Sequence, residues 1–417
     1  MEHYDTTVQK EKVLLLSVDT GEFDAESSVN ELSELVKTAG GETEAVIIQK
    51  RPVCDSVSFI GTGKLKEAKE IIDNGELDLV VCDSELTPTQ QRVLEDYFGI
   101  RVIDRTVLIL DIFALSARSG EGKLQVELAQ LKYSLPRLTG RGTSLSRLGG
   151  GIGTRGPGES KLETDKRHIR RRIHALEEQI AELSKRRERY RSRRKKDGIV
   201  SAAIVGYTNA GKSTLLNTLA DADVLTENKL FATLDPTARA IKLPDGSDLM
   251  LIDTVGFISR LPHFLVEAFK STLEEAVDAD ILILLCDASD PMCEDQLSIT
   301  KSILEDLGAG TKPQITVYNK CDLAESYLLP VTKNTVKISA LKGVGINNLL
   351  ETICENMPQT KKRVLLLIPF DKGGLAAEVR RTSRIYKEEY REDGVFMDAC
   401  VDLGIMHKLI DYITEDS

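Results

Sequence analysis

The chain has 417 residues, 41% of them hydrophobic and 29% charged, with a formal net charge of −11. That apolar content supports three or four packed cores at roughly 100 to 200 residues per domain and excludes a disordered chain. No window of about 18 residues is free of charge, and Glu2, Asp5, Glu11 and Asp19 break any signal-peptide layout, so a cytoplasmic protein without integral membrane association is expected.

Cys54, Cys82, Cys286, Cys293, Cys321, Cys354 and Cys400 are scattered, with no C-x-x-C pair and no nearby histidine set. They read as reduced thiols filling cores, not as a zinc site.

Residues 11–104 alternate short apolar runs (KVLLLSV, AVIIQ, LDLVVCD, IRVID) with amphipathic stretches, a βαβαβαβ order that predicts a small parallel sheet covered by helices. Gly61-Thr62-Gly63-Lys64 precedes one helix and could hold an anion at its N-terminus, but it lacks the spacing of a phosphate loop and suits a plain turn better.

From Thr106 the pattern turns helical, with Leu124, Leu128, Leu131 and Leu135 spaced 4, 3, 4. After a glycine-rich break, Ile169, Ile173, Leu176, Ile180 and Leu183 repeat the rhythm up to the basic run KRRERYRSRRKK at 185–196. Two long helices joined by one loop predict an antiparallel hairpin with arms of about 45 to 55 Å. Residues 132–196 hold 20 Lys plus Arg against 7 Asp plus Glu, a local +13 that leaves −24 for the rest and suits a nucleic-acid polyanion. The hairpin tip, LGGGIGTRGPGES, has six glycines between Gly149 and Gly158. Glycine lets a backbone approach closely and arginine neutralises phosphates or stacks on bases, so Arg137, Arg141, Arg147 and Arg155 are the expected RNA contacts of an inserting tip; a flexible linker would need neither arms nor arginines.

The chemistry begins at IVSAAIVGYTNAGKSTLLNTL, where a strand runs through Gly206-x-x-x-x-Gly211-Lys212-Ser213 into a helix, the context of a phosphate loop. The loop residues Gly206, Tyr207, Thr208, Asn209, Ala210, Gly211, Lys212, Ser213 and Thr214 are expected to cradle phosphates, with Lys212 on the β and γ phosphates and Ser213 on Mg²⁺. Strands also end in Asp253-Thr254-Val255-Gly256, Asn319-Lys320-Cys321-Asp322 and Ser339-Ala340-Leu341, delivering polar residues to one edge of a doubly wound sheet. Asp253 can serve the Mg²⁺ shell and Gly256 can offer its N–H to the γ phosphate. The Asp322 carboxylate can accept from N1–H and the 2-amino group of guanine, donors that adenine lacks, so GTP and GDP are the expected ligands.

Residues 362–413 read as a strand, a helix, alternating strands and a closing helix, a small α+β appendage whose alternating charges at 378–393 suit a solvated face. The expected organisation is thus an N-terminal α/β domain at 1–104, a helical hairpin at 105–197 with its tip at 138–159, a P-loop domain at 198–360 and an α+β domain at 361–417.

GGGIGTRGPGE, preceded by ELAQLKYSLPRL and followed by FATLDPTAR at 231–239, resembles the HflX family of ribosome-associated GTPases over roughly residues 10–360. The resemblance implies a Mg²⁺-dependent GTPase that binds the large ribosomal subunit and its rRNA, moves its hairpin tip towards the peptidyl transferase centre and splits stalled or idle ribosomes under stress. It places the Mg²⁺ ligands on Ser213 and Thr233, with Thr237 as a second choice, the first switch on Phe231, Ala232, Thr233, Leu234 and Asp235, and the second on Asp253 to Gly256. Lys212, Thr233 and Gly256 become the catalytic set. Phe257 stands where small GTPases carry a water-orienting glutamine, so slow basal hydrolysis is expected. Asn209 occupies the slot where several GTPases of this class hold K⁺, or else it stabilises the loop. A monomer that does not bind DNA is expected. The alternative is a GTP-regulated RNA-remodelling protein with a second use of ATP at Gly61 to Lys64.

Overall fold

The computed structural model describes residues 10–140, 157–196, 199–220, 230–231, 235–260, 262–323, 332–358 and 361–414. The first sheet holds β1 (Lys12–Asp19), β2 (Glu42–Lys50), β3 (Leu79–Cys82) and β4 (Arg101–Asp104) in the order β2-β1-β3-β4, all parallel. Its central strands are apolar throughout because both faces are covered. Leu14, Leu16 and Val80 pack under α2 (Thr62–Gly75) and α3 (Pro88–Phe98); Val13, Leu15 and Val81 pack under α1 (Ala25–Ala39) and α4 (Arg105–Ser116). Caps set the helix starts: Asp24 accepts from the Glu26 N–H, and Thr87 and Gln90 form a reciprocal capping box ahead of Pro88.

The hairpin differs from its sequence pattern. Ala117 is extended and Ser119 caps a new helix, α5 (Gly120–Ser134), so the first arm spans only 15 residues, about 22 Å. α4 instead lies in the core of the first sheet. The second arm, α6 (Pro157–Lys196), runs 40 residues, about 60 Å. Ion pairs Arg187–Glu121 (2.9 Å) and Lys132–Glu177 (2.7 Å) set the arms antiparallel. The buried stripe of α5 is Gln125, Val126, Ala129 and Tyr133, while Leu124, Leu128, Leu131 and Leu135 are half-buried.

Next come β5 (Val200–Gly206), α7 (Lys212–Ala220), β6 (Thr237–Lys242), β7 (Asp248–Asp253), α8 (His263–Ala268), α9 (Lys270–Asp278), β8 (Ile281–Asp287), α10 (Cys293–Asp306), β9 (Gln314–Asn319), β10 (Thr335–Lys337) and α11 (Ile346–Asn356). The sheet order is β10-β9-β8-β5-β7-β6, parallel except for β6. Leu215, Leu216, Leu349 and Ile353 cover one face; Ala276, Leu297 and Leu304 cover the other. The strand order reverses beside β5, which puts its C-terminal end at the crevice where doubly wound sheets bind ligands.

A third unit holds β11 (Lys361–Ile368), α12 (Gly373–Thr382), β12 (Arg384–Arg391), β13 (Gly394–Asp402) and α13 (Leu403–Met406), with an antiparallel sheet in the order β11-β13-β12. Among the described residues no helix is long and apolar enough to cross a membrane.

Candidate nucleotide-binding and active site

The loop between β5 and α7 is shaped by two close approaches. A Cβ on Gly206 would lie 2.0 Å from the Leu285 carbonyl oxygen, and one on Gly211, whose φ is +96°, would lie 2.3 Å from Asn319 Nδ2. Neither position admits a side chain. Between them Asn209 takes φ +62°, a left-handed conformation that asparagine tolerates better than most residues. Lys320, which follows β9, is also at positive φ.

Lys212 is buried, and its Nζ donates to the carbonyls of Gly206 (3.1 Å) and Tyr207 (2.7 Å). Burial pushes its ammonium down to about 8, opposed by the nearby Asp253 charge. Bound phosphates would restore the charged form, so above pH 8 binding must take up a proton. Nucleotide affinity is therefore expected to fall up to about tenfold per pH unit above 8 and to be flat through neutral pH. Titration calorimetry in two buffers of different ionisation enthalpy checks this, and proton uptake that stays at zero up to pH 9 would reject it.

Ser213 Oγ donates to Asp253 Oδ2 at 2.7 Å, bringing a hydroxyl and a carboxylate together at the loop. These are hard oxygen donors of the kind Mg²⁺ takes. Thr254 is structural: its hydroxyl donates to the Ile204 carbonyl at 2.7 Å. Val255 is buried in the core shared with the first sheet. Gly256 passes so close that an added Cβ would meet Thr208 Cγ2 at 2.8 Å and Lys212 Nζ at 2.9 Å. Phe257 exchanges backbone bonds with the phosphate loop, Thr208 N–H to its carbonyl at 2.7 Å and its own N–H to Gly206 at 3.0 Å. Its ring is buried with Tyr207, Ala276 and Leu284, away from the crevice. A water-orienting role is thus closed by direction as well as by chemistry.

Asn319 ties the base-recognition loops to the phosphate loop. Its Nδ2 donates to the Ala210 carbonyl (2.8 Å) and its Oδ1 accepts from the Ala340 N–H (2.9 Å). Lys320 pairs with Asp287 at 2.6 Å, and Cys321 donates its N–H to Ile338. The Asp322 carboxylate meets Lys342 at 3.0 Å, and hydrogen bonds from Ser339 and Lys342 hold it below the usual carboxylate range, ionised and ready to accept. Leu341 is 83% exposed and Ser339 and Ala340 are buried behind it.

Region 201–320 matches the family described as 50S ribosome-binding GTPase, 26–114 the GTP-binding GTPase N-terminal family and 116–194 the GTP-binding GTPase Middle Region family. Over 405 residues the chain is 49% identical to GTPase HflX of Caldanaerobacter subterraneus subsp. tengcongensis, covering 97% of this chain and 94% of that one. It is 40% identical to GTPase HflX of Escherichia coli K12 over 390 residues, 92% and 90% of the two chains. The chain belongs to the HflX family of GTPases. It is a guanine-nucleotide-binding protein whose reaction is GTP hydrolysis.

The described residues of the two predicted switches of this HflX-family GTPase contact the N-terminal domain and the start of the hairpin. Phe231 is buried among apolar side chains of that domain, edge-to-face with Phe113 at 4.7 Å. Asp235 accepts from the N–H groups of Arg118 (2.9 Å) and Ser119 (2.7 Å) and from the Ser119 hydroxyl, holding the residues that start α5. After Gly256, Ser259 donates its N–H to Glu31 (3.2 Å) and accepts from Arg105 (2.9 Å), while Arg260 reaches Asp83 and Ser28 at 3.0 Å. Tyr207 of the phosphate loop donates its hydroxyl to Ser259 Oγ at 3.0 Å. Sequence reasoning missed Glu31, Asp83, Arg105, Ser259 and Arg260. The available signal was Asp83 and Arg105, charged residues directly after two apolar strands of the first sheet.

Ala232, Thr233 and Leu234 lie outside the described residues, as do Arg141, Arg147 and Arg155. Arg137, expected among the tip contacts, lies instead just past the end of α5 against the N-terminal domain, donating to the Leu86 (2.8 Å) and Tyr133 (2.9 Å) carbonyls with its guanidinium 3.5 Å from the centre of the Tyr133 ring. Part of the basic run is likewise engaged, with Arg191 on Glu275 at 3.1 Å and Arg194 on Glu275 at 3.6 Å. The Gly61 turn donates its N–H to Gln49 and Lys64 pairs with Glu67 at 2.8 Å, so the turn reads as a helix start.

Proposed function

We propose that this GTPase acts on the large ribosomal subunit, using GTP to set the posture of the helical hairpin and thereby remodel or split stalled or idle ribosomes. The observation that carries the reading is the bonding of Asp235 to the start of α5, which makes the first switch and the hairpin arm one mechanical unit. The 50S ribosome-binding description of the matched G-domain family supports the choice of partner.

On binding, Lys212 would exchange the Gly206 and Tyr207 carbonyls for β and γ phosphate oxygens. Ser213 and Thr233 would hold Mg²⁺, with Asp253 behind Ser213, and the ion would neutralise charge developing on the phosphates. Gly256 would present its N–H to the γ phosphate and so couple the nucleotide to Ser259 and Arg260, which already bond to Glu31, Arg105, Asp83 and Ser28 of the N-terminal domain. With Phe257 buried, the attacking water is ordered by another group: switches reordered by docking, another residue or a metal ion.

Hydrolysis is therefore expected to be slow alone and to rise at least about tenfold with large subunits, with most of that gain lost when 149–159 is replaced by an unrelated loop. Equal rates with and without subunits would overturn the reading and favour free structured RNA as the partner. Asn209 is further proposed to hold K⁺ beside the phosphates. Exchanging Na⁺ for K⁺ is expected to raise the rate, and equal rates in both salts would leave Asn209 with the loop-stabilising role alone.

A further inference from the structure

One face of the C-terminal sheet packs against α12; on the other, Phe396 and Asp398 are buried and Tyr386 and Arg363 are exposed. Val364, Leu366, Val395, Met397 and Ala399 point to the side where Ala376 and Val379 of α12 pack. Strand alternation puts Arg363, Leu365 and Leu367, with Cys400, Asp398 and Phe396 of the neighbouring β13, on the other side.

In β12 the partners of Cys400, Asp398 and Phe396 are Arg384, Lys387 and Glu389. A register irregularity between Ile385 and Lys387 also brings Tyr386 to this side, where its ring lies 4.7 Å from the Arg363 guanidinium and 5.4 Å from that of Arg384. A second stack sets Arg391 3.8 Å over the centre of the Phe396 ring. The face thus presents two arginine–aromatic stacks beside half-buried Leu365 and Leu367.

Its charge favours an anion. The two carboxylates are already engaged, Asp398 by both guanidinium nitrogens of Arg363 (2.8 and 2.6 Å) and Glu389 by Lys387 (2.7 Å) and Arg391 (3.4 Å). Among the described residues of this face, Arg384 is the cation without a carboxylate partner. Tyr386 remains 50% exposed and the Arg363 side chain 65% exposed. An open ring between guanidinium groups, on a rigid antiparallel sheet, offers a base a stacking surface and its phosphates a counter-charge.

We infer that the face of the β11-β13-β12 sheet opposite α12 binds single-stranded RNA, with a base stacked on Tyr386 and the backbone running past Arg384. The choice of RNA over DNA rests on the ribosomal reading above; the stacking site itself does not. Duplex has no free base faces and should be a poor ligand.

The chain contains no tryptophan, so a full-length Tyr386→Trp variant, excited selectively at tryptophan, carries its one tryptophan at the proposed contact. Adding a short oligouridylate is expected to quench its emission saturably. Adding Arg384→Glu to that variant should weaken the titration about tenfold, and raising salt should weaken it further. Circular dichroism and basal GTP hydrolysis of both variants should match the parent.

Absence of quenching, while a labelled copy of the same oligonucleotide binds the protein elsewhere, would overturn the inference. Equal quenching by duplex RNA would also do so, as would quenching by an acidic peptide but not by RNA. Loss of ribosome-stimulated hydrolysis with quenching intact would instead count against the ribosomal reading alone, because the fluorophore reports only on this face.

Discussion

Asp322→Asn is expected to lower GTP affinity by about 10² to 10⁴-fold while leaving the fold intact. The carboxylate is kept ionised by Ser339 and Lys342, and it can take two donors from the guanine edge. An amide can accept one of them at most and turns its own N–H towards the other. Each hydrogen bond to a charged group contributes about 1.5 to 3 kcal/mol, and the mismatched donor pair adds a penalty, which gives that range. Xanthine replaces the 2-amino group of guanine by a carbonyl, so the variant should recover much of its affinity for xanthosine triphosphate. Competition binding with both nucleotides decides this. GTP affinity within threefold of the parent would place the base somewhere other than against Asp322. Asn319→Ala is a separate structural perturbation, because it unties Ala210 and Ala340 from each other.

Asp83→Ala should cost about 3 to 5 kcal/mol of stability in urea unfolding, a large share of what a domain possesses. Asp83 is fully buried and accepts from Ser17 (3.1 Å), Ser28 (2.8 Å), Arg105 (3.0 Å) and Arg260 (3.0 Å). Removing it leaves two guanidinium groups short of a counter-charge, one of them, Arg105, only 2% exposed. Arg105 keeps Glu31 and the Ser259 carbonyl, whereas Arg260 loses its only carboxylate partner among the described residues. The same variant should loosen the segment after Gly256, raising amide exchange at Ser259 and Arg260 more than in α11. A loss below about 1 kcal/mol would mean that the cluster is solvated in solution and does not anchor the second switch. Arg260→Ala, a partly exposed member, should cost only about 1 kcal/mol.

The strand-to-loop-to-helix context of Gly206 to Ser213, and the polar residues ending β7 and β9, were legible as a guanine-nucleotide crevice because each is a local pattern. Apolar alternation marks a strand, and a parallel sheet must put its strand ends on one edge. The first sheet was legible for the same reason, its strands being short apolar runs separated by amphipathic helices. The hairpin arms were less so. Leucine spacing from Leu124 to Leu135 reads as one long helix continuing from Thr106, yet the chain breaks at Ala117 because Asp235, more than a hundred residues away, accepts from Arg118 and Ser119. Arg137 likewise looks like one more cation of a basic tip, but the Leu86 carbonyl and the Tyr133 ring enclose it.

The sequence by itself determined the sheet types, the nucleotide and the family, since phosphate loops, base-reading loops and the glycine-rich signature are encoded by neighbours in the chain. Only the tertiary structure decided what the switches touch. Phe231 enters the core of another domain, Asp235 holds the start of a helical arm, and Ser259 and Arg260 join a buried charge cluster built on Asp83. These contacts join residues as far apart as Glu31 and Ser259. No spacing rule reaches that distance, because burial and charge pairing depend on where the folded chain places each group, and periodicity reports only the face of its own element.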